Sequence, residues 1–414
     1  MSVTTKTFIL IRRQLYLDRI FPYIDKPFIK VITGLRRSGK SVILQQIKEE
    51  ITNRGVSDSQ IIYMNFESFQ YAEITDAQKL YDYVRQQIRK GKRHYLFFDE
   101  IQEVDRWEKA VNAFRVDFDT DIYLTGSNSR LLSSELSTLL AGRYIQFEVF
   151  TLSFSEYLAF RRQYTGLASE DIYKEFNRYV RYGGFPVIHT ADYTLDEAYR
   201  IIFDIYSSVI LRDVVERYRI RHVELLERVV RFIFDNTGNT FSAKKIADYF
   251  KNQQRKTDVA TIYNYLNALE SAYIIHRVSR YDLIGKEILK TLEKYFVGDH
   301  GFIYALLGNK PHLISGVLEN IIMLELKRRG YKVFTGKYRQ KEIDFIGEKE
   351  GRKIYVQVAY KITEQKTYER EYRPLLQIRD NFPKYVLTMD EWPPANREGI
   401  IQMHIADFLL KKEI

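Results

Sequence analysis

Two short runs hold the residue types needed to handle a nucleoside triphosphate. The first is Gly34-Leu35-Arg36-Arg37-Ser38-Gly39-Lys40-Ser41, which has the spacing G-x-x-x-x-G-K-S. Gly34 and Gly39 carry no β-carbon, so the backbone between them can curl until successive N–H groups face phosphate oxygens, aided by the positive end of the helix that follows. Lys40 would reach the β- and γ-phosphates, and the Ser41 hydroxyl would complete a magnesium shell that also holds water. The second run, Tyr95-Leu96-Phe97-Phe98-Asp99-Glu100, is four apolar residues ending in two acids. Asp99 would hold magnesium through water, and Glu100 would polarise the attacking water as general base.

These groups work only if strands deliver them to one edge. Phe28 to Thr33 reads as a short buried strand leading into the glycine loop, and Val42 to Glu50 as the helix after it. Gln60 to Phe66, the run ending at Asp99, Asp121 to Thr125 and Tyr144 to Val149 read as further strands, alternating with helical stretches. That alternation predicts an α/β class: an open parallel sheet with helices on both faces, binding ligand at the carboxyl ends of its strands. Asn128, just past such an end, is placed to orient the lytic water or sense the γ-phosphate. Arg143, in Leu140-Ala141-Gly142-Arg143, is a candidate arginine finger for the γ-phosphate of its own or a neighbouring subunit, with Arg130 as competitor.

The run Ile32 to Ser41, with Phe98-Asp99-Glu100-Ile101-Gln102 and Leu124-Thr125-Gly126-Ser127-Asn128, resembles a prokaryotic AAA-type P-loop ATPase family whose members carry a carboxy-terminal domain of unknown function. Tyr182-Gly183-Gly184-Phe185-Pro186 and Tyr206 to Asp213 echo that second region, so the resemblance spans nearly the whole chain. It implies ATP over GTP, and for Asn128 the role called sensor 1. The absence of an Asn-Lys-x-Asp guanine reader agrees: Asn309-Lys310-Pro311-His312 ends in the wrong residue.

Beyond residue 150 the pattern changes. Phe154 to Arg162 and Glu170 to Tyr182 read as helices of a lid or connector covering 151–216. From Arg217 to Phe296 fifteen Lys and Arg face nine Asp and Glu, a local excess of basic charge. Helical periodicity at Leu225 to Phe234, a Ser-capped helix from Ser242, a third helix from Asp258 to Ser271 and two alternating strands at Ile274 to Val278 and Ile288 to Phe296 predict a winged helix over 217–300. Its nucleic-acid candidates are Lys244, Lys245, Lys256, Thr257, Thr261 and Asn264, with Arg280, Lys286 and Lys290 on the wing.

In 301–414 the order helix, strand, strand, strand resembles the small α+β core of PD-(D/E)xK nucleases. Glu319 and Asp344 match its first two acids, but Gln357-Val358-Ala359 stands where Glu-x-Lys belongs. An amide attracts a metal less than a carboxylate, and Ala359 cannot stabilise developing charge, so the domain reads as degenerate, kept for docking. Lys361, two residues on, is a possible migrated lysine if the strand continues.

Composition bounds the rest. A chain of 414 residues favours two or three domains, and a net charge of +10 suits a polyanionic partner such as DNA. Zero cysteines exclude disulfides, thiolate metal sites and cysteine nucleophiles, and fit a reducing cytoplasm. No uncharged stretch approaches a bilayer span, and Phe8 to Ile11 runs straight into Arg12 and Arg13, unlike a secretory signal. The expected function is an ATP-binding and ATP-hydrolysing protein coupling nucleotide state to a DNA-binding winged helix. The alternatives are a slow ATP switch acting through protein contacts, homo-oligomeric or with a partner, and an ATP-gated nuclease.

Overall fold

The computed structural model describes residues 11–128, 140, 142–166, 169–252, 257–362 and 364–414, and of Lys290 and Thr291 the backbone only. The chain divides into two compact units, one ending at Val149 and the other starting at Phe150.

The first unit is built on five strands: β1 (Ile29–Thr33), β2 (Ile61–Asn65), β3 (His94–Asp99), β4 (Thr120–Gly126) and β5 (Tyr144–Glu148). All pair in parallel, as the sequence pattern predicts, and the structure gives their order as β2-β3-β4-β1-β5. Helices α1 (Gln14–Ile20), α2 (Lys40–Asn53), α3 (Ala77–Gln87) and α4 (Trp107–Asp117) cover both faces. This is why β3 is apolar without alternation. Leu96 and Phe98 pack into the layer with α3 and α4, around Leu80, Val111 and Phe114. Tyr95 and Phe97 pack into the opposite layer with α1 and α2, around Leu17, Ile43 and Ile47. Asp76 stops the loop before α3 by accepting hydrogen bonds from the N–H groups of Gln78 and Lys79.

In the second unit α5 (Phe154–Phe160), α6 (Ile172–Tyr182) and α7 (Leu195–Val209) come first, with a π-helical stretch at Ile210–Glu216. The Gly183-Gly184 break after α6 is tied down from afar: the carboxylate of Asp299 accepts the N–H groups of Gly184 and Gly301 at 2.9 and 2.8 Å. Then follow α8 (Val223–Asp235), β6 (Thr240–Phe241), α9 (Ala243–Asn252), α10 (Val259–Ser271) and the hairpin β7 (Ile275–Asp282) to β8 (Glu287–Val297). The strand β6 pairs antiparallel with β8.

The remainder is α11 (Gly301–Leu307), α12 (Ile314–Arg328), β9 (Lys332–Tyr338), β10 (Lys341–Lys349), β11 (Arg352–Val358), α13 (Gln365–Leu376), β12 (Lys384–Thr388), β13 (Ala395–Arg397), β14 (Ile400–His404) and α14 (Ile405–Leu410). Arg280 to Asp282 of β7 pair in parallel with Thr335 to Lys337 of β9, so hairpin and carboxy-terminal strands form one nine-stranded sheet, β13-β14-β12-β11-β10-β9-β7-β8-β6. Among the described residues no helix is long and apolar enough to cross a membrane.

Candidate nucleotide site

The register of the first sheet sets Thr33 beside Gly126, Asn65 beside Asp99 and Phe98 beside Leu124, so the loops after β1, β3 and β4 leave from one edge. The glycine loop opens with Gly34 at φ +142°, passes through Arg37 at φ +65° and ends with Gly39 at φ +98°, where α2 starts at Lys40. Gly34 is required twice over. Its φ disfavours a side chain, and a β-carbon there would lie 2.1 Å from the Val149 carbonyl oxygen.

Lys40 is buried. Its ammonium donates to the carbonyl oxygens of Gly34 and Leu35 at 3.2 and 3.3 Å and stands 3.8 Å from Glu100 Oε1. The Ser41 hydroxyl donates to Asp99 Oδ1 at 3.1 Å, which joins the two expected magnesium ligands. Asp99 is fully buried, and burial pushes its carboxyl above the usual range. Hydroxyl donors from Thr125 and Ser41 pull the other way, while neighbouring Glu100 adds to the rise. A carboxylate held under that penalty would gain from a divalent cation beside it. Ser38 is buried in the loop, and its hydroxyl has no hydrogen-bond partner among the described residues. An unsatisfied hydroxyl, a buried lysine and a Ser–Asp pair on a helix amino terminus together fit a magnesium-bound triphosphate.

Several supporting residues have roles that the sequence does not assign. Thr125 donates to Asp99 and accepts the Glu100 N–H at 2.9 Å, so one hydroxyl sets both acids. The phenol of Tyr63 donates to Asp99 Oδ2 at 3.2 Å, and Gln102 donates to Glu100. Arg13, buried and stacked on Tyr16, donates to the Ser38 carbonyl at 2.7 Å and so braces the loop from behind. Arg36 pairs with Glu67, whereas Arg37 is exposed.

Asn128 is buried just beyond β4, on the phosphate-loop edge. Arg143 is not brought there. It precedes β5, its carbonyl accepts the N–H of Ile29 at the start of β1, and its side chain donates to Asn112. That is the amino end of the strands, about 16 Å of β-strand from the loop. A role toward the chain's own γ-phosphate is therefore corrected: the parallel sheet puts Arg143 and Lys40 at opposite edges. Arg130 lies outside the described residues.

In the second unit Lys244, Lys245 and Lys286 are exposed, as is Asn264, while Thr257, Thr261 and Arg280 are half-buried. Thr261 is also engaged locally, its N–H donating to the Asp258 cap at 2.6 Å. Lys256 lies outside the described residues, and so does the Lys290 side chain. Glu319 on α12 and Asp344 on β10 do meet, together with Glu342, around Lys294 of β8. Gln357 lies next to them, its amide spanning the Asp344 N–H at 2.7 Å and Glu371 Oε2 at 3.0 Å. Lys361 does not enter: β11 ends at Val358, and Lys361 is exposed over the Tyr360 ring. The lysine near the acids thus comes from β8.

Comparison with known proteins bears on the family and the fold. Residues 26–158 match the family described as an AAA domain, and residues 173–313 a domain of unknown function (DUF8612). An uncharacterized protein of Haemophilus influenzae is 39% identical over 403 residues, covering 97% of this chain and 99% of its own length. An uncharacterized protein of Methanocaldococcus jannaschii, MJ1544, is 33% identical over 364 residues, covering 84% of this chain and 79% of its own. Among solved structures, the Walker-type ATPase PABY2304 of Pyrococcus abyssi aligns with a TM-score of 0.50 at 16% identity, over 72% of this chain and 96% of that one, which is a likeness of fold.

Proposed function

This chain belongs to the AAA-type P-loop ATPase family, and from that premise we propose that it binds ATP with magnesium, hydrolyses it, and uses the cycle to act through its basic second unit. The observation that carries the reading is the joined constellation of Lys40, Ser41, Asp99 and Glu100 on one sheet edge. Magnesium, when bound, neutralises charge on the phosphate oxygens. The remaining work falls to the chain. Backbone N–H groups of the loop and the Lys40 ammonium bind the β- and γ-phosphates, and Ser41 with Asp99 holds the cation. Glu100, positioned through its backbone by Thr125, takes the proton of the attacking water, and Asn128 orients that water. Arg143, exposed at the far edge, suits a nucleotide held by a second copy of the chain, which makes a homo-oligomer part of the proposal.

The DNA-binding part rests on α8, β6, α9, α10 and the β7–β8 hairpin, an order that with β6 paired to β8 supports a winged helix. Exposed Lys244, Lys245 and Lys286 would meet phosphates and Asn264 a base edge. A second reading, docking to a protein, is favoured by Val259 and Tyr263, exposed on α10, and by Ile284 and Ile288, exposed on the hairpin. Phosphate release with and without DNA tests the main proposal. Glu100→Gln should keep ATP binding and lose about 10²–10⁴-fold in turnover. Equal release from wild type, Lys40→Ala and Glu100→Gln would defeat it.

A further inference from the structure

The acidic cluster of the second unit is assembled around an ammonium. Lys294 Nζ lies 2.7 Å from Glu342 Oε1, 3.2 Å from Glu319 Oε2 and 3.9 Å from Asp344 Oδ1. Its side chain is 2% exposed, against 39%, 14% and 16% for those three carboxylates, so the cation sits behind the acids. Burial by itself would discharge the lysine, but Glu319, Asp344 and Glu342 together outweigh it and hold the ammonium charged. For Glu319 and Asp344 burial raises the carboxyl, and Lys294 is the largest influence opposing that rise in each.

Several other polar atoms of the cluster are engaged too. Asp344 Oδ2 accepts the Val358 N–H at 2.8 Å. Both polar atoms of the Gln357 amide are engaged, one by the Asp344 N–H and the other by Glu371. The backbone of Gly238 presses on Glu319 so closely that a β-carbon there would lie 3.0 Å from Oε2. A hard divalent cation needs several oxygens with free lone pairs. Among the described residues no group of three or more acidic or histidine side chains is arranged to hold one. With Lys294 facing these carboxylate oxygens, the magnesium that a nuclease-like order would require does not fit.

We propose that Lys294 is a built-in counter-ion that takes the place of a divalent cation among Glu319, Glu342 and Asp344, fastening α12 and β10 to β8 and keeping this cluster closed to metal. The consequence is mechanical. The hairpin strand β8, the helix α12 and the carboxy-terminal strands are locked as one piece by an internal ion pair, and this part of the molecule works without a metal.

The test uses the full-length chain without nucleotide, in an Asp99→Asn background that silences the other cation site, with Mn2+ uptake followed by electron paramagnetic resonance. The protein with Lys294 should take up no stoichiometric Mn2+. Lys294→Met should gain one Mn2+ per chain and melt at a higher temperature when Mn2+ is present, and adding Asp344→Asn should abolish both. Uptake in the presence of Lys294 that Asp344→Asn removes would overturn the proposal, as would a folded Lys294→Met that binds none. Should Lys294→Met fail to fold, Lys294→Arg keeps the charge and must fold and still refuse Mn2+; uptake by it would also overturn the proposal.

Discussion

Replacing Gly34 by alanine puts the phosphate loop to a quantitative test. The added β-carbon would stand 2.1 Å from the Val149 carbonyl oxygen, at a φ of +142°. Contacts of a β-carbon under 3.0 Å are essentially never seen and ordinary ones lie at 3.4–4 Å, so loop and strand must part by about 1 Å or more, which also strains the 2.8 Å bond from the Val149 N–H to the Thr33 carbonyl. Overpacking of this kind costs about 1–3 kcal/mol, and the unfavourable φ adds about 1–2 kcal/mol. The first unit should therefore lose about 2–5 kcal/mol. Losing even one charge-assisted bond to phosphate weakens ATP by about 10–100-fold. Gly55→Ala is the control, since Gly55 has φ +92° but nothing within 4 Å of a β-carbon, so only the backbone penalty remains. Of the two tryptophans, Trp107 lies in the first unit and Trp392 in the second, so urea unfolding followed by fluorescence in a Trp392→Phe background reports the right unit. If Gly34→Ala matches Gly55→Ala in midpoint and in ATP affinity, the loop is not built as described.

Glu371 provides a pH test. Burial, with the nearby Asp344 charge, pushes its carboxyl from the ordinary 4.5 up to about 7. Between those values the folded chain holds a proton that the unfolded chain releases, so stability is full below about 4.5 and falls as pH rises to about 7, by on the order of 3 kcal/mol. Urea midpoints across that window should show the fall and Glu371→Gln should flatten it; a wild-type midpoint that does not fall would reject the assignment. DNA affinity, measured against salt, should lose about two units of slope when Lys244 and Lys245 are both replaced by alanine, since each removes one phosphate contact. An unchanged slope would remove α9 from the interface.

The nucleotide site was legible in the sequence because its parts are local. A glycine loop must follow a strand and open a helix, and an apolar run ending in two acids must be a buried strand, so Lys40, Ser41, Asp99 and Glu100 follow from neighbours in the chain. What joins them is not local. Thr125 and Tyr63 reach Asp99 only because β2, β3 and β4 lie side by side, and Arg13, the residue before α1, reaches Ser38 from 25 residues earlier. Strand direction decided Arg143: a residue before a parallel strand and a loop after one fall on opposite edges, which the spacing of Arg143 does not reveal. The hairpin strands were readable from their alternation, yet the parallel contact of β7 with β9 was not, since a pairing of three residues leaves no periodicity behind. Lys294 was hidden for the same reason. In the sequence it is one more basic residue of a charged segment, and only the fold carries it 25 residues along the chain to Glu319 and on to Glu342.

The most direct measurement is calorimetry of the full-length chain with ATP and magnesium. Wild type should bind one nucleotide per chain, Lys40→Ala should bind none detectably, and Asp99→Asn should bind with little dependence on magnesium. No heat from wild type, or equal heat from wild type and Lys40→Ala, would contradict the account.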